Sequence, residues 1–284
     1  MKRFFFIIFS LFLAASCSSF DRGSDKKISV MVSIEPQAYF LKRIGGDLVD
    51  VGVLIGSGQS PHTYEPTPRQ LAKLSDAKIF FTIGLPFERE LTKKISAQMG
   101  LLRIIDTSAG IKKRGMNDHS HHGEMQDPHV WLDPVLVAVQ ASTIARELIV
   151  LDPKHEAFYI GNLSKFIDDI NTVTNEIATE LSPYQGKEFY VFHPSFGYFA
   201  DRFGLKEVAI EIEGKEPSLK QLIESIDEAK KSGAKVIFVE PQFSEKSAKV
   251  IASEIDGRVE TLDPLAKDYL MNLKEIAKRI RGSF

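Results

Sequence analysis

The sequence predicts an α/β protein of two similar lobes, each a four-stranded, mainly parallel sheet flanked by helices, joined by one long rigid helix. Three observations predict it. Eight short β-branched or aromatic runs alternate with helical stretches, and strands that alternate with helices form parallel sheets covered on both faces. The eight runs fall four and four about one amphipathic segment near the middle. At 284 residues the chain is also long for a single core, so two lobes are expected.

The N-terminus stands apart from this pattern. Lys2 and Arg3 precede "FFFIIFSLFLAAS", an apolar run that is too short to span a membrane and ends in small residues. That order of charge and hydrophobicity reads as a signal peptide over 1–16. Cys17, the only cysteine, follows at once. An unpaired cysteine in an exported chain needs a role, and "LAASC" resembles the bacterial lipobox, with Ala14 in place of the usual leucine. Acylation of Cys17 is therefore expected, with residues 17–27 as a flexible polar tether. The mature chain would sit in the periplasm or on the outer face of the cytoplasmic membrane. Loss of Lys2 and Arg3 takes the net charge from −2 to −4, which argues against a nucleic-acid partner.

Residues 28–152 form the N-terminal lobe, with strands in "ISVMVSI", "VDVGVLI", "KIFFTIG" and "LRIIDT". The linking helix occupies 153–182. Asp152 is a good N-cap and Pro153 suits the first helical position. Phe166, Ile167, Ile170, Val173, Ile177 and Leu181 recur at helical spacing as one apolar face, and Ser182-Pro183 ends it. Residues 183–284 repeat the first rhythm in "EFYVFH", "EVAIEIE", "KVIFVE" and "RVETLD".

Three of the seven histidines occupy equivalent places. His62 follows the second strand in "GSGQSPHTYEPTP", His129 lies between two Asp-Pro corners in "DPHVWLDP", and His193 ends a strand in "VFHPSFGYF". All three belong to loops beyond the carboxyl ends of parallel strands, where open α/β sheets bind ligands. Proline fixes its own φ and restrains the residue before it, so His129 is held in a set direction. Asp127 is placed to accept its other ring proton. Imidazole is the commonest metal ligand, and zinc takes four tetrahedral donors. With Cys17 at the membrane, the fourth donor is a carboxylate or water. "TLDPLAKDYL" offers Asp263 and Asp268. His119, His121 and His122 lie in a polar loop at about 116–126 with no periodicity. An enzyme is not expected, because the chain has no HExxH and its one nearby acid, Glu65, leads into a helix cap.

"HTYEPTP", "DPHVWLDP", "FHPSFGYF", "EPQFS" and "DPLAKDY" together resemble the motifs of the zinc/manganese-type solute-binding proteins of ABC transporters. They stand in that family's order over essentially the whole mature chain. The resemblance implies a high-affinity metal-binding protein, probing no chemistry of its own, that serves an ABC permease in the membrane. It implies His62, His129 and His193 as ligands and prefers Asp268 over Asp263 or water as the fourth. It implies weak zinc gathering by His119, His121 and His122, and a monomer anchored through Cys17. Zn2+ is the expected metal and Mn2+ the alternative, since imidazole suits zinc and manganese prefers harder oxygen donors. Some relatives carry an adhesin label, for which no repeat or sticky patch appears here. Histidines with ordinary pKa values, about 6.5, would each have to lose a proton to bind metal in acid.

Overall fold

The computed structural model describes residues 27–56, 58–96, 100–115, 126–211 and 217–284. Cys17 and the loop histidines His119, His121 and His122 lie outside the described residues. The first half runs β1 (Ile28–Val32), α1 (Glu35–Gly45), β2 (Val49–Val53), α2 (Pro68–Asp76), β3 (Ile79–Thr82), α3 (Pro86–Ser96) and β4 (Arg103–Asp106). Helices α4 (Pro134–Leu151) and α5 (Glu156–Leu181) come next. The second half runs β5 (Glu188–Val191), α6 (Gly197–Phe203), β6 (Lys206–Ala209) and α7 (Leu219–Ser232). It ends with β7 (Val236–Val239), α8 (Lys246–Glu254), β8 (Arg258–Thr261) and α9 (Tyr269–Arg281).

Every strand pairing is parallel, in the orders β2-β1-β3-β4 and β6-β5-β7-β8. The two sheets thus share one topology, and in each the strand order reverses beside the first strand. Ligands of open α/β sheets bind outside the carboxyl ends of the strands near such a reversal. Local chemistry agrees with the boundaries. Thr67 accepts from the Gln70 amide while the Gln70 side chain returns to Thr67, and Ser218 with Gln221 repeats this box on α7. Asp133 caps α4 through the Val135 amide.

The link between the halves departs from the sequence reading at its start. Pro153–His155 form a 3-10 turn, and the α-helix begins at Glu156. The reason is local. The Asp152 carboxylate takes the Tyr159 hydroxyl at 2.9 Å and His155 Nδ1 at 2.6 Å instead of capping the first amides. The 26 residues of α5 extend about 40 Å at 1.5 Å per residue. Its apolar face packs on α1, α4 and α9, with Phe166, Ile170, Val173, Ile177 and Leu181 buried.

The lobes share a core. Along β5 and the residue after it, Phe189 and Val191 join the hydrophobic cluster that contains the first sheet and α5, while Tyr190 and Phe192 join a separate cluster with residues of α7 and α8. Along β7, Val236 and Phe238 alternate in the same way with Ile237 and Val239. Alternate side chains leave a strand on opposite faces, so the inner face of the second sheet closes the core of the first. Aromatic contacts reinforce this seam: Tyr269 of α9 meets Phe40 of α1 edge-on at 4.9 Å, and its hydroxyl donates to the Trp131 carbonyl at 2.7 Å. Pulling the lobes apart would expose this common core, so large hinge opening is disfavoured.

One buried acid, at the turn into α3, organises the end of the first sheet. Glu88 is 3% exposed and accepts from the amides of Ile83, Gly84 and Leu85 and from the Ser33 hydroxyl. Burial pushes its carboxyl up to about 7 against those hydrogen bonds. Replacing Glu88 by leucine strands these amides at about 1–3 kcal/mol for each buried unsatisfied group. The expected result is a loss of about 3 kcal/mol or more in a denaturant titration. An unchanged midpoint would show that water replaces the carboxylate there.

Candidate metal centre

The three histidines predicted from strand-end positions converge. One ring nitrogen from each of His62, His129 and His193 lies within 4.8 Å of the others, and the Nε2 atoms of His62 and His193 are 2.9 Å apart. Ring centroids stand 4.6 Å apart for His62 and His193, 5.5 Å for His129 and His193, and 6.1 Å for His62 and His129. Zinc–nitrogen bonds of about 2.0–2.1 Å in a tetrahedron put donors roughly 3.3 Å apart. The cluster reaches that spacing with side-chain adjustments of about an ångström.

Two of the rings are held from behind. His129 Nδ1 lies 2.7 Å from Asp127 Oδ1, and the same oxygen accepts the His129 amide at 2.9 Å. His193 Nδ1 lies 2.5 Å from Glu211 Oε1. A carboxylate on Nδ1 keeps the proton there and leaves Nε2 as the lone-pair donor, fixing both tautomer and direction. The Asp-Pro corners thus act as the sequence suggested. Asp133 of the second corner also grips Arg202 of α6 through two bonds of 2.8 Å, and Trp131 Nε1 donates to the Pro264 carbonyl at 2.8 Å. Trp131 is fully buried packing, and it ties the His129 loop to the second lobe.

Burial dominates the electrostatics. It pushes His62 down to about 3, with further lowering from His193 and His129. It also pushes His193 down, against the pull of Glu211. Burial thus favours the neutral, metal-coordinating form of His62 and His193. Phe243 stacks on the His193 ring at 4.7 Å and 25°, and Pro61, Trp131, Pro264 and Leu265 close the surroundings. The cavity between them is about 10 Å³, room for one water-sized occupant.

Asp268, the fourth ligand that the resemblance prefers, lies apart from the cluster of three histidines. The structure does not bring it to the histidines: its side chain is exposed and caps α9, accepting from the Met271 amide. Asp263 instead accepts from the Leu265 amide at 2.9 Å. Both are helix-entry or turn acids, because an aspartate next to a first-turn amide satisfies the backbone before it reaches outward. Replacing Asp268 by alanine should cost about 1 kcal/mol of stability as a lost cap. Zinc affinity should stay within about threefold in competition with a chelating dye; a hundredfold loss would return Asp268 to the coordination sphere.

The sequence reading missed Glu211, Glu240 and Phe243 as parts of this site. Glu240 is 1% exposed, with Oε2 3.4 Å from the His193 amide and Oε1 without a partner among the described residues. Burial raises its carboxyl well above the ordinary range. The signal was present: acids end the apolar runs "EVAIEIE" and "KVIFVE", at the ends of strands that face the ligand crevice. The chemistry available here is that of a cage for one metal ion, with imidazole donors oriented by carboxylates.

A family profile described as "Zinc-uptake complex component A periplasmic" matches residues 30–282. Among curated proteins, the chain is 32% identical over 278 residues to the high-affinity zinc uptake system protein ZnuA of Bacillus subtilis (strain 168), covering 92% of this chain and 87% of that one. Among solved structures, a crystal structure of ZnuA superposes with a TM-score of 0.86 at 44% identity, over 90% of this chain and 99% of that one. The laminin binding protein Lmb of Streptococcus agalactiae, described as bifunctional with adhesin and metal transporting activity, is similar at 32% identity with a TM-score of 0.81. That match covers 91% of this chain and 99% of that one.

Proposed function

This chain belongs to the family of periplasmic zinc-uptake complex component A proteins, and from that premise we propose how its residues serve the task. It is an extracytoplasmic zinc-binding protein that captures Zn2+ and delivers it to an ABC-type import permease. It is not an enzyme. His62, His129 and His193 are the ligands in this reading, supported above all by three ring nitrogens gathered within 4.8 Å. Asp127 and Glu211 orient two of them. Water completes the tetrahedron, since neither Asp263 nor Asp268 faces it. Three nitrogen donors favour zinc over manganese on both ligand softness and the Irving–Williams order.

Several finer points belong to the same proposal. Cys17 carries the lipid anchor, residues 17–27 form the tether, and the chain works as a monomer. His119, His121 and His122 gather zinc weakly. Calorimetry on the mature chain tests the centre: one tight zinc per chain is expected, with weaker events that vanish when 116–125 is deleted. Loss of the tight event on that deletion would give the loop a primary ligand. Intact-mass analysis of protein from native envelopes tests the anchor, and an unmodified Cys17 would remove it.

A further inference from the structure

One guanidinium crosses between the lobes beside the metal cage. Arg114 follows β4, and its Nη1 lies 3.4 Å from Asp127 Oδ2 and 4.0 Å from Glu207 Oε2 of β6. Its Nε lies 3.2 Å from Asp201 Oδ2 of α6. The backbone is tied at the same point. The Arg114 amide donates to the Tyr198 hydroxyl at 3.0 Å, that hydroxyl donates to the Asp127 carbonyl at 3.1 Å, and the Asp127 amide donates to the Arg114 carbonyl at 2.9 Å. Gly197, the first residue of α6, is the seat for the guanidinium: a Cβ there would fall 1.1 Å from Nη1 and 2.3 Å from Cζ. Only glycine leaves this space.

Asp127 therefore has two duties. Its Oδ1 holds His129 and its Oδ2 faces Arg114. We propose that Arg114 is a positioning residue that clamps the second lobe onto the Asp127–His129 pair and so sets the rate at which bound zinc leaves. This rests on the zinc reading given above. The two arms of the clamp differ in strength. The Asp201 side chain is 64% exposed, and exposed ion pairs are worth little. Asp127 is 2% exposed, so loss of its partner leaves a buried carboxylate free to swing. Burial pushes the carboxyl of Glu207, the third acid within reach, up to about 8.

Simple charge predicts the opposite outcome. A cation near the cage repels Zn2+, so removing it should tighten binding. Positioning predicts faster release, and two variants that keep the charge separate the ideas. Arg114→Lys keeps a point charge but loses the planar fork. Gly197→Ala keeps the arginine and displaces it, at a helical position where only a movable side chain stands in the way.

The experiment is stopped-flow zinc release into excess chelator, with zinc association measured in parallel, on the mature chain. Each variant is expected to release zinc about tenfold faster, in the range seen when groups behind a metal ligand are lost. Association rates and the single bound zinc should be unchanged, and the double variant should be no faster than either single one. Unchanged release in Gly197→Ala, or faster release only in Arg114→Lys, overturns the proposal. Absence of a tight zinc in the unmodified chain would overturn the zinc reading instead.

Discussion

Replacing His129 by alanine is expected to abolish tight zinc binding, and the same holds for His62 and His193. Structural zinc sites contribute about 10–16 kcal/mol over their donors, so one imidazole among four donors is worth roughly 3–4 kcal/mol. That is about two to three orders of magnitude in affinity. His129 should lie at the upper end. Its ring is fixed by Asp127 at 2.7 Å and is 4% exposed, so no neighbouring side chain can swing into its place. Replacing Asp127 by alanine removes orientation but leaves the donor, and should cost about 10–100-fold. Chelator competition measures both. Unchanged affinity in any one histidine variant would remove that residue from the centre.

Zinc affinity should fall less steeply in acid than three ordinary histidines would require. Three ligands titrating near 6.5 would give a limiting slope of three protons per metal below about pH 6. Burial holds His62 down to about 3 and lowers His193 as well, so His62 stays neutral where free imidazoles are charged and His193 resists protonation. Between pH 7 and pH 5 the slope of log affinity should therefore stay below two. A slope of three in that range would show that His62 is open to water.

The same shifts bear on the metal-free fold. His62 has a folded pKa below its unfolded value, so its contribution is present above about 6.5 and is lost as pH falls towards about 3. Glu88 and Glu207 are raised to about 7 and about 8. Their contribution is present below about 4.5 and is lost as pH rises through those values. The two trends oppose each other between about pH 4.5 and 6.5, and the metal-free melting temperature should peak there. A maximum above pH 8 would contradict the burial of both acids.

Much of the centre was legible because parallel strands end where ligands bind. An observer needs only to find the strands to know that His62, His129 and His193 share one end of the molecule. The Asp-Pro corners add direction, since proline restricts the backbone locally whatever the fold. Asp268 is placed by an equally local effect: an aspartate before a helix has first-turn amides within reach, and the exposed Asp268 takes one. Arg114 was not legible, and the strand-end positions of Glu211 and Glu240 did not name their partners, because each acts on a residue far along the chain. Glu211 meets His193 across neighbouring strands, and Arg114 meets Asp201 across the lobes.

By itself the sequence determined the strand–helix alternation, the two-lobe plan, the apolar face of the link and the three imidazoles at the strand ends. These depend on residue periods and on backbone restraints that act within a few positions. Tertiary structure alone decided which nitrogen each ring presents, which acids stand behind them, and that the inner face of the second sheet completes the core of the first. Those outcomes depend on burial and on contacts between distant segments. Burial is also what drives His62 down to about 3: transfer of a charged imidazolium out of water is costly, and only the assembled lobes remove the water.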